Sequence, residues 1–268
     1  MVNRISSAAN ETLVPCKPWV ALMPASLKRQ QDMDAEATAW LVDGAVVSRT
    51  APDELAGSEA GLSEIEERAQ LCAGSSAKRL LDMSLAGAVL LFLSPLLFMI
   101  ALAIRLESRG PVLFRQKRGG LNGDAFVILK FRSMECDATE SSVSHASRND
   151  TRVTRVGSFL RRSSLDELPQ LINVLKGEMS LVGPRPHALV HDRFYRIHIS
   201  DYDQRSLVRP GLTGLAQVSG NRGEIRNVAD MAARVDLDLA YIRSWSFSSD
   251  LSILARTLLK LPFDPAAY

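Results

Sequence analysis

Asp166 and Glu167 sit side by side in the stretch LRRSSLDELPQLINVLKGEMSLVGPRP, with Arg161 and Arg162 before them and Arg185 after. An ionised carboxylate can act as a nucleophile or bind a hard cation such as Mg2+. Arginine matches phosphate oxygens through a planar fork of donors. Proline on both sides of Arg185 pre-sets the backbone that carries it, so the guanidinium has less freedom to lose. The pattern suits an anionic substrate held by arginine and attacked, or bridged through a metal, by carboxylate. Helix capping is the competing reading, because first-turn Asp and Glu are favoured by the helix dipole without any chemistry.

The elements that must position these residues follow from spacing. Leu168, Leu171, Ile172 and Leu175 recur at i, i+3, i+4 and i+7, one face of a helix. Lys176 lies in its last turn, and Gly177 stands where a left-handed cap belongs. Ser164-x-x-Glu167 has the form of a capping box. Pro169 is best tolerated in a first turn, so the regular helix begins either there or at Ser164. Both starts put the acid pair at a helix N-terminus, where the dipole is expected to lower carboxylate pKa.

Upstream, Val112–Phe114 and Ala125–Phe131 read as two strands joined through Gly119-Gly120 and Asn122-Gly123, a hairpin. Gln116, Lys117, Arg118, Lys130 and Arg132 cluster on or near it, for substrate or for anionic lipid headgroups. Downstream, Arg209 stands at the mouth of the turn RPGLTG, and QVSGNRGE forms a second polar loop. His187 and His191 are four apart but do not form HExxH, so metal ligation there is not expected.

The chain has 268 residues, 46% of them hydrophobic, and a formal net charge of +2. That charge supplies no strong field for nucleic acid. Cys16, Cys72 and Cys136 are odd in number and share no ligand spacing, which favours free thiols. The first 75 residues mix prolines, acids and brief apolar runs and read as a flexible extension, with a short helix at Glu64–Leu71. The first thirty lack a continuous apolar run, so no secretory signal is read there.

Met83–Ile104 is uncharged and apolar, about 22 residues and long enough to span a bilayer. Ser94-Pro95 interrupts it, and Ser94 can satisfy a carbonyl freed by the proline. A kinked spanning helix and a re-entrant helix-break-helix both fit. Lys78 and Arg79 on one side and Arg105 on the other favour the re-entrant form. Asp82 at the edge is expected to stay hydrated or paired with Lys78 and Arg79. Near the C-terminus, Val228, Met231, Val235, Leu239 and Ile242 mark one helix. Leu251, Leu254, Leu258 and Leu261 mark another, suited to a membrane interface or a core.

The ordered set Lys78-Arg79, Ser94-Pro95, FRQKRGG, KFRSM, LRRSSLDELPQLINVLKGEMSLVGPRP and VRPGLTGLAQVSG resembles the bacterial sugar transferases, the monotopic phosphoglycosyl transferases. The resemblance runs from Lys78 to Leu261 and leaves the first 75 residues outside. It implies transfer of a sugar-1-phosphate from a UDP-sugar to a polyprenyl phosphate, with release of UMP. Asp166 matches the aspartate that forms a covalent phosphosugar intermediate. Glu167 matches its partner, which binds Mg2+, with Asp166 as the second candidate ligand. Arg161 and Arg185 match arginines that neutralise phosphates. Lys130, Arg118, Gln116 and Arg209 complete the candidate substrate-binding set. Ser94-Pro95 matches the break of a re-entrant membrane helix.

The expected fold is α/β, a small mixed catalytic domain with a re-entrant membrane segment and amphipathic interfacial helices. Residues 1–75 are the extension, 76–108 the membrane segment and 109–268 the catalytic domain, on the cytoplasmic face of the bacterial inner membrane. GPRPHALVHDRFYR, SGNRGE and YIRSWSFSSDL are more similar to members that start exopolysaccharide on a hexose, from UDP-glucose or UDP-galactose, than to those using N-acetylated sugars. Leu215 stands where the family usually has Trp, and the N-terminal part is shorter than the multi-span portion of many hexose enzymes. Partners are the UDP-sugar, the polyprenyl phosphate and the membrane, not nucleic acid, with a homodimer left open. A non-catalytic membrane-anchored scaffold, in which the acid pair only caps a helix, is the competing class.

Overall fold

A computed structural model describes residues 41–42, 45–46, 53–135, 151–221, 225 and 227–260, with side chains from residue 63 onward. Strands β1 (Leu41–Val42) and β2 (Ala45–Val46) pair antiparallel in a first unit that ends at Glu54. The second unit, Leu55–Tyr268, holds all that follows. Cys16, Cys136, Leu261 and most of the NRGE loop lie outside the described residues.

Helix α1 spans Asp53–Gly74, well beyond the short helix expected at Glu64–Leu71. Ile65, Ala69 and Cys72, at i, i+4 and i+7, are buried in the main core. Part of what reads as an extension therefore belongs to the folded body. Ser75 then caps α2 (Ser76–Phe92), its hydroxyl accepting from the Lys78 amide at 3.2 Å.

The apolar segment is two helices. Helix α3 (Ser94–Glu107) follows α2 at a bend of 63°, and no single described helix is long and apolar enough to cross a membrane. The cause is local. Pro95 has no N–H to give the Leu91 carbonyl four residues back. Ser94 Oγ donates to that carbonyl instead, at 2.8 Å, as the sequence suggested. Apolar side chains crowd the bend in the open: Leu91 is 79% exposed and Phe92 82%. Farther along, Ile100 and Ile104 of α3 pack with Phe131 and Leu160 in a small second core.

The expected hairpin forms from β3 (Leu113–Gly119) and β4 (Ala125–Phe131). Asn122 and Gly123 take left-handed backbone at its tip (φ 54° and 82°). The register places Phe114 opposite Lys130, Gln116 opposite Ile128 and Arg118 opposite Phe126. With a side-chain period of two, these six share one face, and Phe126 and Ile128 bury it in the main core.

Helix α4 (Arg155–Ser163) is capped by Thr154, whose hydroxyl accepts from the Gly157 amide. A 3₁₀ turn, Leu165–Glu167, leads through Pro169 into α5 (Gln170–Lys176), which stops at Gly177 with φ 85° as expected. Strand β5 (Ser180–Val182) pairs in parallel with β6 (Gly211–Thr213). Their backbones approach so closely at Gly183 and Gly211 that a Cβ on Gly211 would lie 2.1 Å from the Gly183 nitrogen. Between the strands lie α6 (Leu189–His198) and a 3₁₀ helix, Tyr202–Leu207. Beyond β6 come α7 (Leu215–Val218), α8 (Val228–Arg243) and α9 (Phe247–Lys260).

The second unit is thus mixed and helix-rich, with sheets of two strands each. Met231, Val235, Leu239 and Ile242 of α8 join Val174, Met179 and Val182 at its centre, each burial contributing about 1.5–3 kcal/mol. The α9 stripe divides. Leu254 packs against the main core, as does Ile253 beside it, while Leu251 and Leu258 are exposed.

Candidate active site

The acid pair sits in the 3₁₀ turn between α4 and α5 rather than in a regular first turn. Ser164 closes α4 with left-handed backbone (φ 58°) and makes no side-chain cap bond to the next turn. The capping box does not form because Glu167 has stronger partners than one backbone N–H. Lys130 Nζ donates to its Oε1 at 2.8 Å. Arg185 Nη2 donates to the same oxygen and Nη1 to Oε2 at 3.2 Å, a two-pronged charge-assisted grip. Two other elements, β4 and the segment after β5, converge on this one carboxylate of the 3₁₀ turn.

The two acids are tuned in opposite directions. Burial disfavours ionised Glu167, but Arg185 and Lys130 outweigh it and hold the carboxyl well below the usual range. Asp166 is raised to about 6, first by burial and then by the Glu167 charge, against smaller contributions from Lys130, Arg185 and Arg161. The dipole-based expectation of a lowered pKa therefore fails for Asp166, since desolvation and a like charge exceed a weak end-of-helix field. No hydrogen bond from a described residue reaches Asp166, so its oxygens are available to a substrate.

Most candidate residues gather here. Arg161, in the last turn of α4, is close enough to Asp166 to favour its ionised form. Lys130, Gln116 and Arg118 share the inner face of the hairpin. Arg118 Nη1 donates to the Pro186 carbonyl at 3.1 Å, holding the Pro-Arg-Pro turn. Burial and the neighbouring Arg185 lower the Arg118 pKa to about 10. Arg209 is the exception. Its guanidinium donates to the carbonyls of Gly177 (3.1 Å) and Ala73 (3.0 Å), satisfying the C-terminal ends of α5 and α1. Ser94 and Pro95 lie at the helix bend and serve no bond at the acid pair.

Several residues at this site were not singled out in the sequence. Arg205 Nη2 donates to the Arg185 carbonyl (2.6 Å) and to Asp238 Oδ2 (2.9 Å), a buried ion pair beneath the Pro-Arg-Pro turn. Arg205 Nη1 donates to His187 Nδ1 at 2.7 Å. Burial and the Arg205 charge keep that imidazole neutral, well below the usual histidine range. Tyr202 Oη donates to Asp192 Oδ1 at 2.6 Å. One signal was available: Arg234 and Asp238 fall on the apolar face of α8, between Met231, Val235 and Ile242, where a charge must find a partner. A cavity of about 130 Å³ opens beside this network, lined by Gly119, Pro184, Arg185, Asp192, Arg193 and Tyr202 among others.

Two adjacent carboxylates, with no group of three or more His, Cys, Asp or Glu placed to hold a metal among the described residues, are the donors the chain would offer Mg2+, Asp166 more openly than Glu167, whose oxygens already accept from Lys130 and Arg185. That ion binds through one or two carboxylates completed by substrate phosphates and water. Burial, ahead of the Glu167 charge, raises the Asp166 pKa, and a bound cation would favour its ionised form.

The carboxylate pair and the cations that meet it suit an anionic substrate. Residues 73–263 match the family described as bacterial sugar transferase, and the chain belongs to that family. It is 53% identical over 191 residues to the UDP-glucose:undecaprenyl-phosphate glucose-1-phosphate transferase of Caulobacter vibrioides, covering 71% of this chain and 72% of that one. The Escherichia coli K12 protein of the same name is 51% identical over 71% of this chain, which spans 41% of that relative. The exopolysaccharide production protein PSS of Rhizobium leguminosarum bv. phaseoli is 45% identical, covering 68% of this chain and 93% of that protein.

Proposed function

We propose that this enzyme transfers glucose-1-phosphate from UDP-glucose to undecaprenyl phosphate, releasing UMP and starting an exopolysaccharide. The observation that carries the reading is the opposed tuning of the acid pair. Glu167 is locked by two cations, while Asp166 accepts no hydrogen bond from a described side chain and lies close to them. UDP-galactose is the neighbouring donor, and the names of the relatives favour glucose.

An Asp166 oxygen attacks the β-phosphorus of the donor. The bond from that phosphorus to the bridging oxygen breaks, and UMP leaves with the electron pair. Arg185, Lys130 and Arg161 stand where they neutralise charge on the phosphates, the main contribution a protein makes to phosphoryl transfer. Arg118 keeps the Pro-Arg-Pro turn in place. An oxygen of undecaprenyl phosphate then attacks the phosphoryl group on Asp166, and cleavage of that acyl phosphate restores the carboxylate. Asp166 and Glu167 would hold Mg2+, which would supply further neutralisation of the diphosphate.

The acceptor's tail lies in lipid, so the site belongs at a membrane surface. The exposed apolar side chains at the α2–α3 bend support a re-entrant seat in the cytoplasmic leaflet of the inner membrane. Exposed Leu251 and Leu258 support an interfacial α9.

The test is UMP release by purified protein with undecaprenyl phosphate and Mg2+. UDP-glucose, UDP-galactose and UDP-N-acetylglucosamine are compared, with Asp166→Asn beside the wild type. Release from UDP-glucose by the wild type, falling about a thousandfold or more in the variant, is expected. Equal release by both proteins removes Asp166 as nucleophile, and release only from the N-acetylated donor removes the hexose assignment.

A further inference from the structure

The first turns of α2 press charged side chains onto both elements that carry the active site. Lys78 and Asp82, one helical turn apart, are buried. Lys78 Nζ donates to the Val182 carbonyl (2.9 Å), Tyr241 Oη (3.2 Å) and Asp250 Oδ2 (2.6 Å). Asp82 Oδ1 accepts from the Leu181 amide at 2.9 Å. Both residues thus grip the last two positions of β5, and Gly183-Pro184-Arg185 follows directly. Arg79 reaches a different element. Its Nη1 donates to the Val174 carbonyl (2.7 Å) and Nη2 to the Leu175 carbonyl (2.9 Å). These bonds close the far end of α5, a helix of seven residues whose near end follows Glu167, about 10 Å away.

We infer that α2 is a splint that sets the separation of Glu167 and Arg185, with Lys78, Arg79 and Asp82 as positioning residues for the reaction proposed above, on which this inference rests. The chain of contacts is short on each side. From Asp82 and Lys78 it runs through β5 into the Pro-Arg-Pro turn. From Arg79 it runs through α5 into the acid-bearing turn. Small displacements matter at such a site, since an error of about 1 Å in placing a reacting group can cost about a hundredfold in rate. The helix that enters the apolar bend is therefore the same rigid body that spaces the site, which couples the seat of the bend to the geometry of phosphate transfer.

The decisive comparison is Asp82→Ala against Asp82→Asn, with the half-exposed Arg79→Gln as a variant that spares the core. Asparagine keeps the oxygen that accepts from Leu181, whereas alanine does not. In full-length protein in lipid nanodiscs, kcat per folded molecule should fall about 10- to 100-fold in Asp82→Ala and Arg79→Gln, with donor KM little changed. Asp82→Asn should restore kcat. Hydrogen exchange without substrate should quicken at Leu181–Gly183 in Asp82→Ala but not in Asp82→Asn. An unchanged kcat per folded molecule in both Asp82→Ala and Arg79→Gln would sink the splint, as would an asparagine variant as impaired as alanine. Unaltered exchange in Asp82→Ala, or in Arg79→Gln at Val174–Gly177 should the alanine variant not fold, would do the same. Absence of UMP release from the wild type with every UDP-sugar would instead remove the reaction reading, while the exchange comparison still decides the splint.

Discussion

Asp166 and Glu167 differ by one position and behave oppositely because their neighbours differ. Asp166 is raised to about 6 by burial and by Glu167. Its folded pKa lies above the unfolded value of about 3.9, so the native state binds more protons between those values. The stability it contributes is present below about pH 4 and lost as pH rises through about 6. Glu167 has the reverse sign: its contribution is present above its unfolded pKa and is lost as pH falls toward the lowered folded value. Asp166→Asn should therefore stabilise the fold at pH 7 by about 1 kcal/mol after allowance for solvent screening, seen as a higher thermal midpoint, while removing turnover. A midpoint that does not move at pH 7, or moves equally at pH 4, contradicts this. In the wild type, kcat/KM for UMP release should decline below about pH 6 as Asp166 protonates. A kcat/KM profile flat to pH 4.5 contradicts a raised Asp166 pKa in the free enzyme.

Among elements, the bent pair α2–α3 owes its angle to Pro95 and to the Ser94 bond that replaces the missing donor. Single cysteines at Ser76, the first residue of α2, and Ser108, just past α3, should both label from the cytoplasmic side in intact inner-membrane vesicles of known orientation. Labelling of one from the cytoplasmic side and the other only from the periplasmic side establishes a kinked spanning helix. The basic flanks carry less of this argument than the sequence suggests. Lys78 is buried against Asp250, and Arg79 caps α5, so both charges have partners within the protein. Asp82, expected to stay wet or to pair with them, instead accepts from the Leu181 amide.

For the whole molecule, the network of Arg205, Asp238, His187, Tyr202 and Asp192 acts as the floor of the Pro-Arg-Pro turn. Breaking one side of the buried pair leaves a charge without a partner in low dielectric. Asp238→Ala should cost about 3–5 kcal/mol in urea unfolding, and Arg205→Met with Asp238→Leu should recover much of it. If the double variant is as unstable as the single one, the pair's value lies in its other hydrogen bonds, chiefly the one to the Arg185 carbonyl.

The sequence by itself determined what is local. The i, i+3, i+4, i+7 stripe and Gly177 set α5, the turn residues and period-two pattern set the β3–β4 hairpin, and Ser94-Pro95 set the bend. The nearness of acids and cations was legible in part too, because Arg161, Asp166, Glu167 and Arg185 fall in one stretch. The tertiary structure alone decided which cations meet which acid. Lys130 and Arg185 reach Glu167 from elements far apart in the chain, whereas Arg209, equally plausible by type, is drawn to the open carbonyls of two helix ends. It also decided that Asp166, at a position where local dipoles favour ionisation, is raised instead. Desolvation and the closeness of a second charge depend on what packs around a residue, and spacing along the chain carries no measure of either.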